Sequence, residues 1–90
     1  MSLERREKYR LELTSRFDKE LHKLPRQVMS RIAENIEELK VNPHSFKRLH
    51  GELEGLYSMR VGDYRVIYIV DEDKGRVILL SAAHRRRVYE

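Results

Sequence analysis

The side chains with the plainest chemistry gather late in the sequence. Arg60 and Arg65 flank a Gly62-Asp63 turn, and Arg85-Arg86-Arg87-Val88-Tyr89 follows. A guanidinium stays charged at any physiological pH, and its fork of donors matches phosphate oxygens. A phenol beside it can stack on a base. The chemistry these residues suggest is a grip on a phosphodiester, RNA first among such ligands. With no Cys in the chain there is no thiolate nucleophile and no cysteine-rich zinc site. The histidines (His22, His44, His50 and His84) give no HExxH pattern, so neither a metal nor another cofactor is expected. His50 and His84 could in principle form an acid/base pair, but the strand register below turns His84 away from the arginines.

A chain of 90 residues, 38% charged and 40% hydrophobic, can build one small core, and residues 1–90 read as a single domain. Residues 1–8 read as a charged, frayed arm. The longest apolar run, Val77 to Leu80, is far too short to span a membrane, and the first residues lack an apolar signal core. The expectation is a cytoplasmic protein with no membrane partner. A net charge of +4 is modest, so the placement of the charges must decide what it means.

Tyr9, Leu11 and Leu13 alternate with charged residues, the period of a half-buried strand, and Thr14 or Ser15 then offers a helix cap. Phe17, Leu21 and Leu24 fall at helical spacing. After Pro25 a second stripe runs through Val28, Met29, Ile32, Ala33, Ile36 and Leu39 until Asn42-Pro43 ends it. Leu56–Val61 and Tyr64–Val70 are apolar-rich runs joined by a two-residue loop with Gly first, as a type II′ hairpin requires. Asp71–Gly75 reads as a five-residue loop leading into a last strand over Arg76–Ala83. The predicted fold is α+β in the order β-α-α-β-β-β. Its helix hairpin packs on one face of a mainly antiparallel four-stranded sheet.

The two-residue loop sets Arg60 opposite Arg65 and Ser58 opposite Ile67. Tyr57, Met59, Val61, Tyr64, Val66 and Tyr68 then face the helices, while Ser58, Arg60 and Arg65 face away. A five-residue second loop adds Val77, Leu79, Ser81, Ala83 and Arg85 to the arginine face; a loop one residue shorter would flip that strand. Like charges opposed across a strand pair are unfavourable unless something negative lies between them. Glu12, Glu52 or Glu54 could neutralise the arginines as a surface network without function. Small Ser58, Ser81 and Ala83 beside the guanidiniums leave room instead for an anionic ligand.

The segments Lys47-Arg48-Leu49-His50-Gly51, Gly55 to Tyr68 and His84-Arg85…Val88-Tyr89 resemble the RelE branch of the RelE/ParE toxin superfamily. Arg60-Val61-Gly62-Asp63-Tyr64-Arg65-Val66-Ile67-Tyr68 is the most specific stretch. The resemblance implies a toxin of a type II toxin–antitoxin module, a ribosome-dependent mRNA endonuclease. It would cut messenger RNA in the A site by metal-independent 2′-OH attack and be restrained by a small RelB-like antitoxin. Arg65 matches the phosphate-stabilising arginine, Arg85 the arginine that assists the departing oxygen, and Tyr89 the tyrosine that stacks on or orients the substrate. Arg60 completes the catalytic set, and Ser58, Arg86, Arg87, Lys47 and Arg48 the RNA-binding set. Two family lysines correspond here to Ser58 and Arg60, and an arginine holds phosphate but is a poor general base. A ParE-like, gyrase-inhibiting toxin and a catalytically weak member that only binds its antitoxin are the alternatives.

Overall fold

The structure, a computed structural model, describes residues 7–87. Tyr89 therefore lies outside the described residues, as does most of the expected N-terminal arm. Lys8 already belongs to the fold, since its N–H donates to the Lys40 carbonyl at 2.8 Å.

Strand β1 (Arg10–Leu13) leads into α1 (Ser15–His22) through Thr14. The Thr14 hydroxyl does two jobs there. It accepts the Phe17 N–H at 3.1 Å, which caps the helix, and donates to the Leu79 carbonyl at 2.8 Å, which ties the cap to the sheet. Phe17 and Leu21, four apart, are buried. Pro25 fixes the extended backbone from which α2 (Arg26–Asn35) starts, and a 3₁₀ segment over Ile36–Lys40 continues it. Ile32, Ile36 and Leu39 carry this apolar face into the core, whereas Ala33 stays exposed.

The sheet has five strands in the order β1-β5-β4-β3-β2, with β2 at Lys47–Arg48, β3 at Tyr57–Val61, β4 at Tyr64–Asp71 and β5 at Arg76–His84. All pairs are antiparallel except β1 with β5. The α+β class and the helix hairpin on one sheet face match the expectation; β2 makes five strands rather than four. At the β3–β4 turn, Gly62 has φ 61° while Asp63, like every described non-glycine residue, lacks positive φ, the signature of type II′. Arg60 stands opposite Arg65 and Ser58 opposite Ile67, as expected. Tyr57, Met59, Val61, Val66 and Tyr68 join the helices in the core, with Tyr64 packed against it.

The register of β5 departs from expectation twice. Asp71 pairs with Arg76, so the loop has four residues, and Val77 and Leu79 turn into the core rather than onto the arginine face. An ion pair at 2.9 Å between Asp71 and Arg76 holds this shorter loop closed, and Glu12 takes the same guanidinium at 2.8 Å. A bulge opposite Ile67/Tyr68 then adds one residue to β5. Because side chains alternate with period two, that residue restores the parity. Ser81 comes opposite Ile67 and Ala83 opposite Arg65, both on the arginine side.

Candidate functional site

The face turned away from the helices carries two cross-strand rows. Lys47, Ser58, Ile67 and Ser81 form one; Arg60, Arg65 and Ala83 form the other. Short side chains at Ser58, Ser81 and Ala83 keep the surface low around the Arg65 guanidinium. Arg65 is half-buried, and its Nη1 lies 3.5 Å from the Ser58 hydroxyl, itself 2% exposed.

The opposed arginines avoid one another without an acid between them. Arg60 turns toward the hairpin tip, its Nε donating to the Gly62 carbonyl at 2.9 Å, while Arg65 leans the other way toward Ser58. Among the described residues, neither takes a carboxylate partner. Glu12 is committed to Arg76, and neither Glu52 nor Glu54 forms an ion pair with a described residue. Repulsion is thus met by divergence, and both guanidiniums keep donors for an external anion.

Arg85 lies one residue beyond β5, and its N–H is fixed to the Asp63 carbonyl at 2.8 Å. The hairpin tip thereby anchors the start of the basic Arg85-Arg86-Arg87 segment next to the Arg65 end of the sheet. Arg85, Arg86 and Arg87 are all exposed. Arg86 and Arg87 line a groove of about 820 Å³ on the helix side, with Arg16 of α1 and Lys23 just past its end opposite. Lys47 and Arg48 are exposed on β2; Arg48 sits over the Tyr57 ring, 5.9 Å from its centroid, so it shares in packing as well as charge. His84 faces the helix side with its ring edge-on to Tyr64 at 5.5 Å, and its Nδ1 accepts the Arg86 N–H at 3.3 Å. No contact joins it to His50 among the described residues.

One supporting residue is invisible to sequence reasoning. Glu20 of α1 reaches the open edge of β5, where Oε1 accepts the Ala82 N–H at 3.0 Å and the Ser81 hydroxyl at 2.8 Å. Burial works against its charge, but those two bonds and Arg16 outweigh it and hold the carboxyl below its ordinary value. The separation of 61 residues between Glu20 and Ser81 leaves no local pattern to read.

Comparison with known proteins matches residues 11–89 to the family described as the ParE toxin of type II toxin–antitoxin systems. Toxin RelE of Mycobacterium tuberculosis is 36% identical over 83 residues, covering 90% of this chain and 86% of its own. Toxin RelG of the same organism is 32% identical over 87 residues, covering 90% and 95%. Among solved structures, the toxin–antitoxin complex RelBE2 of M. tuberculosis aligns with a TM-score of 0.80 at 33% identity, over 86% of this chain and 98% of that one. The archaeal RelE–RelB complex of Pyrococcus horikoshii aligns at 0.70 and 31%, over 90% and 99%. With the fold, the hairpin and nearly the whole length in common, this chain belongs to the RelE family of toxins of type II toxin–antitoxin systems.

Proposed function

We propose that this toxin is a ribosome-dependent endoribonuclease of the cytoplasm that cleaves messenger RNA in the A site, restrained by a small RelB-like antitoxin. The observation that carries the reading is the set of guanidiniums of Arg60, Arg65 and Arg85. Arg60 and Arg65 are cross-strand partners on one sheet face beside small side chains, the Arg85 backbone is fixed to the hairpin tip next to them, and no carboxylate pairs with any of the three among the described residues. Such a surface suits the phosphates of RNA.

Cleavage by internal attack needs the ribose 2′-oxygen aligned with the adjacent phosphate, charge stabilised on the phosphoryl oxygens, and two proton transfers. Half-buried Arg65, steadied by Ser58, is suited to the phosphoryl charge. Arg85, fixed through its backbone to Asp63, is suited to the departing oxygen, and Tyr89 is assigned to stacking or orienting the substrate. Arg60 holds phosphate and cannot accept a proton at neutral pH. Lys47, in register with Ser58, brings a further positive charge to that row. Ser58, Lys47, Arg48, Arg86 and Arg87 bind the RNA backbone. The antitoxin reading draws on the relatives, two of which are solved as RelE–RelB or RelBE complexes. A cationic face of this kind needs a cover in a cell full of RNA.

The test is a translating extract supplied with the purified toxin and read by primer extension on the message. New 5′ ends should appear, and Arg65→Ala should reduce the rate of their formation on the order of 10²–10³-fold, the scale of losing one transition-state charge contact. Intact message combined with blocked gyrase supercoiling would replace this reading with the gyrase-directed one. Intact message with no effect on gyrase, but retained antitoxin binding, would identify a catalytically weak member.

A further inference from the structure

We infer that Arg31 and Arg60 form a second phosphate-binding cleft at the tip of the β3–β4 hairpin, on the α2 side, which receives the backbone of a single-stranded polynucleotide as it leaves Arg65. The inference rests on the RNA-directed reading of the toxin and extends it to a residue, Arg31, outside the sheet face.

Three observations converge on the tip. First, Arg31 projects from α2 over the turn. A Cβ at Gly62 would lie 3.3 Å from its Nη1, 3.6 Å from its Nη2 and 3.7 Å from its Cζ, so the guanidinium covers the glycine. Second, Arg60 arrives at the same glycine from β3, with Nε on the Gly62 carbonyl at 2.9 Å and both terminal nitrogens left over. Strand β2 pairs with β3 only at Tyr57 and Ser58, so beyond that point β3 is an edge and Arg60 can reach round it. Third, a cleft of about 340 Å³ opens between the two arginines, floored by Val28, Val61 and Tyr64. That is ample room for a phosphate group.

Two exposed guanidiniums held at one glycine repel each other, and no ion pair among the described residues relieves them. Asp63 lines the cleft too. Its carboxylate is not within ion-pair distance of either arginine, and it opposes an anion rather than recruiting one. A phosphate is the ligand that answers both forks at once. Arg60 links the two sites, because it is the cross-strand partner of Arg65 and also lines the cleft, which it reaches round the β3 edge.

The experiment is a titration of the ¹⁵N-labelled toxin with a fluorescently labelled oligouridylate, read by NMR and by anisotropy at several salt concentrations. The Gly62 amide and the Arg31 and Arg60 Nε–H signals should shift saturably. Arg31→Gln should weaken binding on the order of tenfold, the effect of one charge-assisted contact. It should also flatten the plot of log affinity against log salt by about 0.7 for the phosphate lost. Arg31→Lys should restore the slope better than the affinity, and Asp63→Asn should tighten binding. Thermal unfolding of the Arg31 variants should match the parent, because the side chain is exposed. Unchanged affinity and slope in Arg31→Gln would overturn the inference. So would an oligouridylate that does not bind at low salt, or one that shifts Arg65 while Gly62 and Arg31 stay still. Failure of the cleavage reading is a separate event: message left intact in the extract while the cleft still binds.

Discussion

Glu20→Ala tests how the helix pair holds the end of the sheet that carries Arg85. Strand β1 pairs with β5 only as far as Leu79, so past that residue no described strand pairs with β5 on that side. Glu20 fills the gap by accepting from Ala82, 1% exposed, and Ser81, 7% exposed. Removing the carboxylate strands a buried amide, at about 1–3 kcal/mol, while the Ser81 hydroxyl can rotate and loses less. The sum is about 2–4 kcal/mol, and for a domain of this size each kcal/mol moves Tm by about 4–8 °C. Glu20→Gln keeps an oxygen acceptor and loses only the charge, so it should lie near 1 kcal/mol. Circular dichroism melts across a pH series give the second half of the test. The folded carboxyl titrates below its ordinary 4.5, so its contribution is complete above that value and fades as pH falls through the folded value. The gap between parent and Glu20→Ala should therefore be widest at neutral pH and narrow in acid. A Glu20→Ala protein that melts with the parent, or a gap that ignores pH, would refute the reasoning.

Three further outcomes follow from other contacts. Tyr68→Phe deletes a fully buried hydroxyl that donates to the Pro43 carbonyl at 2.7 Å, and urea unfolding should show a loss of about 1–2 kcal/mol. Burial pushes the same phenol well above its ordinary 10.0, so its stabilisation holds below that pH and is lost as pH rises past it. The Arg76 hydrogen bond, helped by the Lys74 N–H, holds the Asp71 carboxyl below its ordinary value; in Arg76→Gln, carboxyl ¹³C titration should find Asp71 moved back up. Gly62→Ala places a side chain at φ 61° against Arg31 and should lower the urea midpoint by an amount worth about 1–2 kcal/mol.

How much of this molecule its sequence discloses depends on how far each constraint reaches along the chain. The Gly62-Asp63 turn is local, and it alone settles which of Ser58, Arg60 and Arg65 share a face. Strand β2 is two residues long, too short for any periodicity to mark, so Lys47 does not look like a neighbour of Ser58 until the chain is folded. The Glu20 contact with β5 and the approach of Arg31 to Gly62 join distant segments, and nothing near either residue announces them.

Strand β5 is the most instructive case, because two single-residue departures offset each other. Val77-Ile78-Leu79-Leu80 is apolar on both faces, so composition cannot say which of its side chains enter the core. Reading the preceding loop as five residues assigns them to the wrong side. The residues that do enter are Val77, Leu79 and Ala82, spaced by two and then by three, and the extra step is the bulge. Ser81 and Ala83 thus reach the arginine face even though the first half of the strand is inverted relative to expectation. The bulge also serves the site. It lets one strand give Val77 and Leu79 to the core, then present two small side chains beside Arg65, and then deliver Arg85 to the hairpin tip. Without the added residue the four-residue loop would carry Ser81 and Ala83 to the helix side, leaving Ala82 opposite Arg65 and bulky Leu80 in the place of Ser81 opposite Ile67.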